Sequence, residues 1–148
     1  EINHNFPLSI EGSIGFRFLN FTGSKVFIYT ATLGKYTGNN WISARTYLTP
    51  SDIGVSVSGM LLGRHYFGNS ESYIGLRGGY GISPDDRTKL LDSIKVSRTR
   101  YLSARIEWNQ SINKYWTFNV GAIIANDEWY PHSYRYVYTY DISISRRF

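Results

Sequence analysis

The last eighteen residues constrain the fold more than any other stretch. From Pro131 to Phe148 the chain alternates almost without a break. Tyr134, Tyr136, Tyr138, Tyr140, Ile142, Ile144 and Phe148 fall on one face. Arg135, Thr139, Asp141, Ser143, Ser145 and Arg147 fall on the other, with Val137 and Arg146 as the two exceptions. A period of two is the signature of a β-strand whose faces meet different surroundings.

The same period recurs upstream and predicts seven more strands. The first runs about Leu8 to Leu19, with Ile10, Ile14, Phe16 and Phe18 opposite Ser9, Glu11, Ser13 and Arg17. The next three run about Lys25 to Lys35, Trp41 to Leu48 and Ile53 to Phe67. In the second, Phe27, Tyr29, Ala31 and Leu33 form the better apolar face, although Val26 and Ile28 compete with them. The fifth, Tyr73 to Ile82, opposes Ile74, Leu76, Tyr80 and Ile82 to Gly75, Arg77, Gly79 and Gly81. The sixth and seventh run about Arg98 to Asn109 and Tyr115 to Ala125. Gly-, Asn- and Pro-containing segments separate most of these runs, as turns require.

Composition agrees with an all-β chain. Aromatics make up 17% of the 148 residues, with 13 Tyr, while Met occurs once. Aromatic and β-branched side chains suit the pleated surface of a strand. The length fits a single domain over residues 1–148. No apolar run approaches the roughly 20 residues of a membrane helix. The mean hydropathy of −0.30 says little about membrane strands, which are apolar on one face only.

Eight strands of about 9–11 residues suit a small antiparallel up-and-down transmembrane β-barrel, or a larger one if the chain is a fragment. A closed barrel leaves no unpaired edge in lipid, and an even count puts both termini on one rim. Two longer connections are expected at the other rim. Ser83 to Ser97 contains Pro84-Asp85-Asp86 and the apolar pair Leu90-Leu91, and Asn126 to Ser133 contains Asp127, Glu128, Trp129 and His132. The competing architecture is a soluble barrel with its apolar side packed inward. Arginines on the polar face and aromatics near strand ends favour the membrane.

Tyr66-Phe67-Gly68, followed by Tyr73-Ile74-Gly75-Leu76-Arg77-Gly78-Gly79-Tyr80-Gly81-Ile82-Ser83-Pro84-Asp85-Asp86, resembles YaiO-type outer-membrane β-barrel proteins. Trp116-Thr117-Phe118 and the closing strand to Arg147-Phe148 are similar too, so the likeness covers roughly the second half of the chain. A terminal phenylalanine on such a strand also resembles the closing strand of bacterial outer-membrane barrels. The resemblance implies a fold and a place, the cell outer membrane, rather than a reaction.

The polar face holds the candidate site. Arg45, Arg77, Arg105, Glu107, Asn119 and Asp141 are expected to line the lumen. They form either a salt-bridged plug or an anion-favouring pore lining, with Gly75, Gly79 and Gly81 leaving space beside them. Catalysis is not expected. His132-Ser133 are adjacent, but sequence adjacency gives no nucleophile–base geometry. Zero Cys excludes a thiolate zinc site, and His4, His65 and His132 are scattered, so neither metal nor cofactor is expected.

A net charge of +5 with dispersed Lys and Arg fits anionic lipid better than nucleic acid. Tyr134-Arg135-Tyr136 could stack bases, but a lipid-facing strand accounts for it equally. The expected role is a non-catalytic barrel acting as an anchor or subunit of an envelope assembly. Its partners would be outer-membrane lipid and other envelope proteins. The alternatives are a small channel or polysaccharide-export porin, and a membrane-embedded lipid-modifying enzyme.

Overall fold

The computed structural model describes residues 1–21, 24–51, 54–81, 100–130 and 133–147. They form nine strands and, among the described residues, no helix. In chain order these are β1 (Ile2–Phe6), β2 (Ile10–Phe21), β3 (Ser24–Thr37), β4 (Asn40–Ser51) and β5 (Gly54–Tyr66). They continue as β6 (Tyr73–Gly81), β7 (Tyr101–Ser111), β8 (Trp116–Tyr130) and β9 (Ser133–Arg146). Each strand pairs antiparallel with its neighbours in sequence, in one sheet ordered β1 to β9.

The eight expected strands are present, and β1 precedes them. Ile2, His4 and Phe6 alternate with Asn3 and Asn5, a short period-two pattern hidden by its polar composition. The first long strand begins at Ile10, not Leu8, because the chain reverses at Pro7-Leu8-Ser9. Leu8 and Ser9 both take left-handed φ, 62° and 58°, which only a tight reversal demands of non-glycine residues.

The second expected long connection is instead strand. β8 continues to Tyr130 and β9 starts at Ser133, with a register shift between Glu128 and Tyr130. Asp127 pairs with Arg135 at 3.5 Å, and the Arg100 amide donates to Glu128 Oε2 at 2.9 Å. The polar run Asn126-Asp127-Glu128 reads as a loop because it lacks apolar residues, yet its backbone is satisfied in the ladder. The first long connection, with its Asp85-Asp86 and Leu90-Leu91, lies outside the described residues, as does His132.

The sheet separates its faces. Ile28 and Ala125 are the buried hydrophobic residues among those described. Leu76, Ile106 and Ile142 are 61%, 53% and 73% exposed, and Tyr134, Tyr136, Tyr138 and Tyr140 are exposed beside them. A soluble barrel would bury Ile106 in a dry core. Here the apolar face points outward and the polar face inward, the distribution of a membrane barrel. The sheet curls about this inner face, since one cavity of about 580 Å³ is lined by side chains from β2 to β8.

The described sheet is not closed. β1 and β9 are its two edges. In an unbroken antiparallel run of nine, both point the same way, so pairing them would place one parallel ladder in an antiparallel sheet. The odd count also moves the ends. Ile2 lies opposite Ile14, midway along β2, so Glu1 is level with the middle of the sheet rather than a rim.

Candidate functional site: the charged inner face

The register brings Arg45, Arg77, Arg105, Glu107, Asn119 and Asp141 to the same inward face. Arg77 lies opposite Arg105, Glu107 opposite Gly121, and Gly121 opposite Asp141. Because the side-chain period is two, each of these rows points the same way. The side chains then divide into two zones along the barrel.

One zone is braced by contacts between strands. It lies toward the rim where β3 meets β4 and β5 meets β6. The Arg105 guanidinium clamps Asp141 with two hydrogen bonds of 2.7 and 2.9 Å and donates to Glu107 Oε2 at 3.1 Å. Glu107 Oε1 accepts from Arg64 at 3.3 Å. Arg64 lies 4.4 Å from the Tyr73 ring centroid and 5.5 Å from that of Trp41, within cation–π range. Trp41 Nε1 donates to Glu11 Oε1 at 2.7 Å. These groups tie β2, β4, β5, β6, β7 and β9 across the inner face.

Gly34, Gly75 and Gly121 make room for this network. A Cβ at Gly75 would fall 2.8 Å from Glu107 Cγ, and one at Gly121 would fall 2.7 Å from both Asp141 carboxylate oxygens. The space expected at Gly75 is therefore occupied by a neighbouring carboxylate side chain rather than left open.

At that rim the Phe67–Ser72 connection is tied to the strand ends. Ser72 is fully buried, and its Oγ accepts from the Ser111 amide at 3.2 Å. The Glu71 carbonyl accepts from Asn109 Nδ2 at 2.6 Å, and Asn109 in turn accepts from Asn119 at 3.3 Å. The Glu71 carboxylate pairs with Arg147 beyond β9.

The second zone is the cavity, toward the opposite rim. Arg17, Arg45, Arg77 and Arg105 line it, with Glu1 as the one carboxylate among its described lining residues. Arg45 donates to Glu1 at 3.1 Å and to Thr32 Oγ1 at 2.7 Å. Arg17 and Arg77 make no hydrogen bond or ion pair with a described residue. Arg17 and Arg64 share this inner face. Their place on the polar side of the alternation is the available signal, and it does not show that Arg64 reaches Glu107 while Arg17 pairs with no described residue.

The described histidines, His4 and His65, take no part. His65 faces outward and shares a 2.8 Å hydrogen bond with Asn40, and His4 packs edge-on against Phe6. Among the described residues, no three His, Asp or Glu gather as a metal site would need.

Antiparallel strands, apolar outside and charged inside, define a membrane β-barrel domain. The family model for the YaiO membrane beta barrel domain matches residues 1–86, more than half of the 148, and the chain belongs to that family. Of the two stretches that carried the resemblance, Tyr66 to Asp86 lies within the match and Trp116 to Phe148 lies beyond it. No curated protein and no solved structure matches the chain.

Proposed function

We propose that this chain is a non-catalytic barrel of the outer membrane that serves as an anchor or subunit of an envelope assembly. The observation that carries the reading is the braced zone. Arg64, Glu107, Arg105 and Asp141 spend their charge on one another, so these side chains hold strands in register rather than converge on a reacting atom. Lipid contacts the outer face, and envelope proteins contact the rims. The short connections of the braced rim face the periplasm, as short turns do in such barrels.

Purified protein in a planar bilayer is expected to show little ion conductance, because the braced zone obstructs the lumen. Large, stable conductance steps would overturn this and favour a small channel or export porin. The cavity of about 580 Å³ is the observation on the side of that second reading. Lipid A of unchanged mass in cells with and without the protein is the expected result for a chain without lipid-modifying activity.

A further inference from the structure

We propose that the inner-face cavity is a binding site for an oxyanion, the phosphate or carboxylate of a hydroxylated ligand such as a sugar phosphate, with Arg17 and Arg77 as its binding residues. The inference goes beyond the anchoring role and rests on the barrel reading of the fold.

Arg77 and Arg105 form a like-charge pair. Arg77 stands directly opposite Arg105 across the β6–β7 ladder, a placement that is unfavourable unless countercharge is supplied. Arg105 has two carboxylates, Asp141 and Glu107. Arg77 has neither, and its charge acts on Asp141 only through space. Arg17, on the far side of the same cavity, also lacks a carboxylate partner among the described residues.

The sheet therefore satisfies its arginines selectively. Those in the braced zone are paired, and two that border open space have no carboxylate partner among the described residues. A guanidinium offers a fork of donors that matches phosphate and carboxylate geometry. Around them, Thr30, Ser103, Tyr47 and Tyr101 bring hydroxyl groups to the cavity lining, which suits hydroxyls on the ligand. Gly79 lines the cavity beside Arg77 without a side chain. A volume of about 580 Å³ lies within the range of small-ligand sites, about 300–1,000 Å³.

The test is calorimetry on the full chain in zwitterionic micelles, with glucose 1-phosphate, inorganic phosphate and neutral glucose as probes. Saturable binding of glucose 1-phosphate is expected, weaker binding of inorganic phosphate, and none of glucose. Arg17→Gln and Arg77→Gln should each weaken binding about tenfold or more, the loss of one charged hydrogen-bonding partner. Arg135→Gln, which alters a rim pair outside the cavity, should not.

If the soluble probes fail but vesicles containing phosphatidylglycerol bind through the same two arginines, the oxyanion is a lipid headgroup and the site stands. Equal binding by wild type and both arginine variants would overturn the proposal, as would no binding in either medium. Folding is read separately, by the gel shift between unheated and boiled samples. Protein that shifts but does not bind refutes the site alone, whereas protein that does not shift refutes the barrel reading.

Discussion

Glu107 is the residue on which the inner face turns. It is 16% exposed at its side chain and receives both Arg64 and Arg105. Glu107→Gln removes the charge and leaves two guanidinium groups competing for a neutral amide oxygen. The expected cost is about 1–3 kcal/mol, read as a lower midpoint of urea unfolding in bilayers. An unchanged midpoint would mean that the network contributes nothing to the fold. Asn119→Ser is the contrasting case. Asn119 gives one hydrogen bond, to Asn109 at 3.3 Å, so the same measurement should move by no more than about 1 kcal/mol. At this scale the sequence told which side chains share a face, because parity alone decides that. It does not tell that Arg105 takes two carboxylates and Arg77 none among the described residues. Pairing depends on register between strands and on the reach of each side chain, and alternation encodes neither.

Among the elements, the β1–β2 hairpin is where pattern and backbone disagree. Leu8 is 81% exposed and sits at φ 62°, a conformation that costs an L-residue with a Cβ roughly 1–2 kcal/mol. Leu8→Gly should therefore stabilise the protein by about 1 kcal/mol. Destabilisation would mean that the leucine side chain makes a contact worth more than the strain. The hairpin was illegible in sequence because its loop, Pro7-Leu8-Ser9, lacks the glycine or asparagine that usually marks left-handed positions. The β8–β9 hairpin misleads for the opposite reason, since its acidic run resembles a loop. A strand of 15 residues spans about 50 Å at the usual rise. The hydrocarbon needs only about 9–11 tilted residues, so the ends of β8 and β9 stand in water and carry polar side chains without penalty.

Across the whole molecule, the distribution of faces outweighs any single contact. The outer face was the most legible property of the sequence, since one-residue alternation in eight long strands leaves little freedom in which side meets lipid. The number of strands and the open edges were not legible, because both depend on how β1 and β9 end rather than on the pattern within them. The central claim is that the apolar face contacts lipid, and it is at its most exacting in mid-strand. Ile106 is 53% exposed and is flanked by the inward Arg105 and Glu107. Ile106→Arg should impair insertion into bilayers, at about 2–4 kcal/mol for a charge at the midplane, but a dry soluble core would reject arginine too. The measurement that separates the two is spin-label accessibility at position 106 in a reconstituted bilayer. The label is expected to collide freely with oxygen dissolved in lipid and to be shielded from a water-soluble relaxing agent. A label hidden from both would place Ile106 in a protein core and contradict the membrane assignment.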